Sequence, residues 1–149
     1  KGKNVFIGYY KNKKLYEKVV KNHWFCTGDL GKHHRGKFYF VDRKKDLIIK
    51  SGINIVPREI EEVVHKHPNI LECVVIGKTD KIHGEEIALV AVKSGKIKNK
   101  TLREEIIRLC GQNFSSYKVP NHIEFWNSIP KTPSKKLLRR KVREIINKT

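Results

Sequence analysis

The apolar positions of this 149-residue chain change rhythm about a third of the way along. Up to residue 41 they are sparse and lack a period. Val5-Phe6-Ile7 reads as a short strand ended by Gly8, and residues 16–23 as a short helix or an irregular connection. Thr27-Gly28-Asp29-Leu30-Gly31 sets an Asp between two glycines, which is turn chemistry. Lys37-Phe38-Tyr39-Phe40-Val41 is aromatic and β-branched, hence a strand. This segment has too few apolar residues for a core of its own and reads as the end of a larger domain.

From residue 46 the pattern becomes periodic. Leu47-Ile48-Ile49 is a short strand followed by a Ser51-Gly52 break. Pro57 takes a first-turn position, glutamates follow it, and Ile60, Val63 and Val64 repeat at i, i+3, i+4, so a helix is expected up to the basic His65-Lys66-His67. Residues 70–76 and 87–92 are apolar runs expected to be strands buried beneath helices, joined by a polar connection over 80–85. A second helix is expected over 101–112, with Leu102, Ile106, Ile107 and Cys110 on one face, Thr101 as its cap and Glu104 completing a capping box. Residues 123–126 read as a strand, 129–136 as a proline-bounded loop, and 137–147 as a basic helix with Leu138, Val142, Ile145 and Ile146 on its apolar side. The expected fold is α+β, a small three-stranded-type sheet with helices packed on it over 46–149, preceded by a β-rich fragment over 1–45.

Composition narrows the picture. A hydrophobic share of 38% supports a core, and 32% charged residues leave an ionic surface. No apolar run approaches the roughly 18 residues of a membrane span, and no signal peptide opens the chain. Three scattered cysteines without CxxC spacing point to reduced thiols in a cytoplasmic compartment rather than to zinc. His33-His34 and the pair His65 and His67 read as solvent-exposed, so no metal is assigned. A net charge of +18 admits a basic nucleic-acid-binding module. The lysines are scattered, however, and no helix-turn-helix, basic-zipper or aromatic RNA-binding pattern accompanies them, so solvated faces are preferred and no nucleic-acid partner is expected.

The chemistry concentrates in six stretches. They are Trp24-Phe25-Cys26-Thr27-Gly28-Asp29-Leu30-Gly31; Asp42-Arg43-Lys44-Lys45-Asp46; Ser51-Gly52-Ile53-Asn54-Ile55-Val56-Pro57-Arg58-Glu59-Ile60-Glu61; residues 80–85 ending His83-Gly84-Glu85; Tyr117-Lys118-Val119-Pro120; and Pro130-Lys131-Thr132-Pro133-Ser134-Lys135-Lys136-Leu137-Leu138-Arg139-Arg140. In this order they resemble the adenylate-forming superfamily, which contains acyl-CoA synthetases, firefly luciferase and the adenylation domains of peptide synthetases. The resemblance implies that residues 1–45 end the large N-terminal domain and carry the hinge, and that 46–149 are the mobile C-terminal domain.

The resemblance also implies roles. Asp29 binds the ribose of ATP, although on its own residues it is a turn-former. Arg43 contacts the nucleotide, where the plain alternative is an ion pair with Asp42 or Asp46. Lys45 is the hinge, in a polar segment between a strand and the next apolar run, where a simple charged turn is the alternative. Ser51 and Gly52 face CoA, where the alternative is a turn glycine. Lys136 is the catalytic cation. Joining a carboxylate to the α-phosphate of ATP brings two anions together, and a lysine on a loop tip supplies the compensating charge. The family motif has Gly where this chain has Lys135, and a turn that wants positive φ is strained by a side chain there.

The expected whole is an ATP-dependent acyl-CoA ligase acting on a carboxylic acid, of the fatty-acid type, with ATP, CoA and ATP-borne Mg2+. Its partner is the N-terminal AMP-binding domain of the same chain. A peptide-synthetase-type domain that loads a carrier protein is the alternative. The phosphate-gripping loop, adenine pocket and acyl pocket of the family have no match here, so the 149 residues alone are expected to be inactive.

Overall fold

A computed structural model describes residues 1–148. The chain divides into two compact units, Lys1–Lys45 and Asp46–Thr149.

The first unit holds helix α1 (Lys13–Val19) and two hairpins, β1 (Val20–Lys21) with β2 (Trp24–Phe25), and β3 (Asp29–His34) with β4 (Lys37–Arg43). The Asn12 side chain caps α1 by accepting from the Leu15 N–H at 3.1 Å. Val5–Ile7 forms no strand. Phe6 instead stacks edge-on against Tyr9, Tyr16 and Phe25 at centroid distances of 4.9, 5.6 and 5.3 Å, a local aromatic cluster that takes the place of strand pairing. Asp42 is the one buried residue among the described residues of this unit.

The second unit is built on a five-stranded sheet. Its strands are β5 (Ile48–Lys50), β6 (Ile53–Ile55), β7 (Ile70–Asp80), β8 (Gly84–Lys93) and β9 (His122–Phe125), in the order β6-β5-β8-β7 with β9 also on β8. β8 is antiparallel to β7 along one edge. Its other edge is shared by β5, at Lys50 opposite Gly84, and by β9, parallel from Ala88 to Ala91. The α+β class is as expected, but the sheet has five strands rather than three. β6 escaped the hydrophobic pattern because only Ile55 of its three residues is buried.

Helices cover both faces. Helices α2 (Pro57–Val64) and α3 (Asn99–Asn113) lie on one face, where Ile60, Val64, Leu102, Ile106 and Cys110 meet Val75, Ile87 and Leu89. Helix α4 (Arg139–Ile146) lies on the other, where Val142 and Ile146 meet Val74, Ile76, Ala88 and Val90. Alternate residues of the middle strands thus serve two cores, which is why β7 and β8 read as nearly continuous apolar runs. Each Val, Leu or Ile side chain among them, fully buried, stabilises the fold by about 1.5–3 kcal/mol relative to exposure.

Local expectations fail at several points. Ile107, Leu138 and Ile145, expected on apolar helix faces, are exposed, and Leu138 precedes α4 as its cap position. α3 starts at Asn99, its cap position is Lys98, and no side chain caps it, so Thr101 lies inside the helix. His67 is mostly buried and pairs through Nε2 with Glu105 Oε2 at 3.1 Å, because the chain leaves α2 at His65 and turns back towards α3. His33, His34 and His65 are exposed. No helix among the described residues is long and apolar enough to cross a membrane.

Candidate functional site

In the first unit the β3–β4 register places Asp29 opposite Arg43. Asp29 begins a strand instead of occupying a turn. The turn bond is made by Thr27, whose Oγ1 accepts from the Asp29 N–H at 3.0 Å. The Asp29 carboxylate is thereby left for Arg43, with Nε to Oδ1 at 3.3 Å, and both side chains remain well exposed at 38% and 56%. Neither Asp42 nor Asp46 takes Arg43 in a side-chain ion pair; Asp42 Oδ1 accepts the Arg43 backbone N–H at 2.8 Å. A carboxylate beside a guanidinium on an open ladder offers an acceptor and donors to a ligand carrying vicinal hydroxyls or a phosphate. An exposed pair of this kind adds little stability.

Lys45 lies in a 3-10 turn, Lys44–Asp46, and is exposed. It is the last residue of the first unit.

Ser51 and Gly52 form the two-residue loop of the β5–β6 hairpin, with Lys50 opposite Ile53. Both have positive φ, 50° and 79°. That is the backbone of a type I′ turn, whose twist matches that of the flanking strands. The strained Ser51 is held by His83, whose carbonyl accepts the Ser51 N–H at 2.8 Å and whose Nδ1 lies 2.9 Å from Ser51 Oγ. Nothing lies within 4 Å of where a Gly52 Cβ would stand, so a ligand can approach this backbone. The hairpin is fastened from β8: Glu85 Oε2 accepts the Ile49 N–H at 2.8 Å, and Lys50 Nζ pairs with Glu86 at 2.6 Å and bonds Asn121 Oδ1 at 2.8 Å.

Residues 131–137 form a closed loop ahead of α4, bridged between Lys131 and Leu137. Within it the Thr132 N–H donates to the Lys136 carbonyl at 2.8 Å, the Lys135 N–H to the Thr132 carbonyl at 2.9 Å, and the Lys136 N–H to Thr132 Oγ1 at 3.1 Å. Lys135 adopts φ 61°, the left-handed conformation that glycine accepts without cost. Lys131 is neutralised by Glu72. Lys136 is exposed and has no carboxylate within ion-pair distance among the described residues, so its ammonium is free to meet an anionic ligand.

These two loops stand at opposite ends of the sheet. The 131–137 loop adjoins Glu72 near the start of β7, whereas the Ser51-Gly52 turn bonds His83 just past its end. Glu72 and Asp80 are separated by about 26 Å of extended strand. The structure therefore does not bring Lys136 and Gly52 together; one packed body carries them on two sides.

Two residues of these arrangements were given no role from the sequence: Glu72, which neutralises Lys131, and Glu85, which holds the Ile49 N–H. Each acts through a partner distant in sequence, and no local pattern signals it. Asp80, His83 and Glu86 bring donor atoms within 4.8 Å of one another. Glu86 is taken by Lys50, and Asp80 Oδ1 accepts the N–H groups of Ile82 and His83 at 2.9 and 2.8 Å, which hold its carboxyl below the usual range.

The chain is similar to known proteins along nearly its whole length. Residues 59–136 match the family described as AMP-binding enzyme C-terminal domain. The chain is 42% identical over 147 residues to a 2-succinylbenzoate–CoA ligase of Bacillus mycoides, covering 98% of this chain and 30% of that protein. It superposes on the ATP-bound MatB of Rhodopseudomonas palustris with a TM-score of 0.90 at 28% identity, covering 99% of this chain and 29% of that one. It superposes on the O-succinylbenzoate coenzyme A synthetase of Bacillus subtilis, solved with AMP, with a TM-score of 0.83 at 33% identity, covering 96% and 29%. The chain thus spans about 30% of the length of the curated relatives it matches.

Proposed function

The chain belongs to the family of AMP-binding enzyme C-terminal domains, and from that premise we propose that it is the mobile C-terminal part of an ATP-dependent acid–CoA ligase. Residues 1–45 are then the end of the preceding AMP-binding domain, which supplies the acyl and adenine pockets. In the first half-reaction the Lys136 ammonium stands between the substrate carboxylate and the α-phosphate. There it offsets the charge that builds at phosphorus as pyrophosphate leaves. Asp29 accepts from the ribose hydroxyls and Arg43 donates to the nucleotide. Mg2+, carried in with ATP, would supply screening of its phosphates. In the second half-reaction the C-terminal body swings about Lys45 and presents Ser51 and Gly52, whose open backbone borders the path of the CoA thiol to the acyl-adenylate.

The observation that carries this reading is the placement of Lys136, without a carboxylate partner among the described residues, and an open glycine turn at opposite ends of one sheet. A single orientation of that body presents one of them to a fixed centre, and two half-reactions need both in turn. The acid is proposed to be an aromatic dicarboxylate of the 2-succinylbenzoate type in place of the fatty acid first expected. The names of the 42%- and 33%-identical relatives support this choice.

The test uses the full-length protein. Lys136→Ala should lower acid-dependent pyrophosphate exchange by about a hundredfold or more, in line with the loss of a charge-stabilising group, and leave thioester formation from supplied acyl-adenylate nearly intact. Equal loss of both steps refutes the role of Lys136. AMP release with 2-succinylbenzoate and free CoA, and none with palmitate, supports the substrate class. Turnover that requires a phosphopantetheinyl carrier excludes CoA as acceptor.

A further inference from the structure

Helix α4 follows the lysine loop directly, and its start is poorly specified by its own sequence. No side chain caps it, its first turn holds no acid, and it opens Arg139-Arg140-Lys141. Three cations there oppose the helix dipole. Local preference therefore does not decide where the helix begins, nor where the loop before it is set down.

A long-range contact does. Glu61 of α2 grips Arg139, the first residue of α4, with a two-pronged fork: Nη1 to Oε1 at 2.5 Å and Nη2 to Oε2 at 2.6 Å. The same fork is tied to the sheet. Glu61 Oε1 accepts the Val75 N–H at 2.6 Å, and Arg139 Nη1 donates to the Val75 carbonyl at 2.8 Å. Both side chains are mostly buried, at 13% exposed for Glu61 and 24% for Arg139. Bidentate geometry fixes the guanidinium in plane and distance, which a single contact does not. A buried pair is weak evidence for stability, since apolar residues fill such space at least as well; its distinct contribution is geometric.

Arg139 stands three residues after Lys136. Between them Leu137 packs on the α4-side core and the Leu138 N–H donates to the Pro130 carbonyl at 2.9 Å. We infer that the Glu61–Arg139 fork on Val75 is the positioning element of the lysine loop, setting the height of α4 on the sheet and with it the reach of Lys136. This rests on the adenylation role proposed for Lys136. Neither Glu61 nor Arg139 touches substrate in this scheme; both act through the loop.

The test compares Glu61→Gln, Arg139→Lys and Lys136→Ala in the full-length protein. Glu61→Gln keeps shape and loses the charge; Arg139→Lys keeps charge and loses the fork. Both should lower pyrophosphate exchange by about tenfold to a hundredfold, the scale of an ångström-sized misplacement, with the KM for ATP little changed and thioester formation from supplied acyl-adenylate within about twofold. Amide hydrogen exchange over residues 131–138 should accelerate in both variants, while that of β8 stays slow. Unchanged exchange over 131–138, or equal slowing of both half-reactions, overturns the inference. Faster loop exchange together with a Lys136→Ala protein that still adenylates normally sinks the role of Lys136 instead, so the two failures are distinguishable.

Discussion

Gly77→Ala tests how the Ser51-Gly52 hairpin is fastened. Gly77 lies in the middle of β7, opposite Ile87. A Cβ built there would stand 2.6 Å from Glu85 Cδ and Oε1 and 2.8 Å from Oε2. No real Cβ sits that close, so the Glu85 carboxylate must swing away, and in doing so it releases the Ile49 N–H that it holds at 2.8 Å. A hydrogen bond to a charged acceptor contributes about 1.5–3 kcal/mol. Alanine in a strand interior recovers roughly 0.5–1 kcal/mol of the glycine's conformational cost. The net expectation is destabilisation by about 1–2 kcal/mol, which at typical urea slopes moves the midpoint down by about 0.5–1 M. Urea unfolding followed by Trp126 fluorescence in a Trp24→Phe background reports on this unit. The deciding measurement is the sign in a Glu85→Ala background. There the clash is gone, and Gly77→Ala should become neutral or stabilising by up to about 1 kcal/mol. If Gly77→Ala costs the same with and without Glu85, the account of this contact is wrong.

Other expectations follow from single features. Lys135→Gly removes a side chain from a φ of 61°; the relief of about 1–2 kcal/mol, less the entropy glycine brings to the unfolded chain, should leave a gain of about 0.5–1 kcal/mol in the same urea assay. Gly52→Ala meets no atom but sits at φ +79°. It should cost about 1–2 kcal/mol and slow thioester formation, whereas Asn, which tolerates that region, should recover most of the stability. Burial pushes the Cys73 thiol up to about 12, with the Glu61 carboxylate adding to it, and Cys110 to about 11. At pH 8.5 only Cys26, exposed in the native protein, should react rapidly with a thiol reagent, and all three should react after unfolding. The unfolded thiols ionise near 9 while the folded ones keep their protons, so stability should fall as pH rises from about 9 towards 11, and Cys73→Ala with Cys110→Ala should flatten that slope.

The readable parts of the fold were those decided within a turn or two of chain. α2 shows itself through Pro57, its acidic first turn and the spacing of Ile60, Val63 and Val64, all of which are local. β8 shows itself as an apolar run because both of its faces are covered. β6 did not, since two of its three residues are exposed and it exists through pairing with β5. Thr101 looked like a cap by composition, but α3 begins two residues before it, at Asn99, whose Oδ1 accepts from Lys93 Nζ at 2.7 Å. Val5–Ile7 had strand propensity and no partner strand, so the aromatic cluster decided its conformation. The motif residues Asp29, Arg43, Gly52 and Lys136 were recognisable one by one. That Gly52 and Lys136 stand at two ends of one sheet was not.

By itself the sequence determined which stretches are apolar on one side and which side chains carry charge or reactivity. These are properties of a residue and its near neighbours. The tertiary structure decided that Arg43 answers Asp29, that His83 braces Ser51, that Glu85 holds Ile49, and that Glu61 grips Arg139 across 78 positions. Such pairings depend on strand order and on which face of the sheet a helix covers. Among 33 lysines and arginines and 15 acids, composition permits many pairs, and only packing chooses among them.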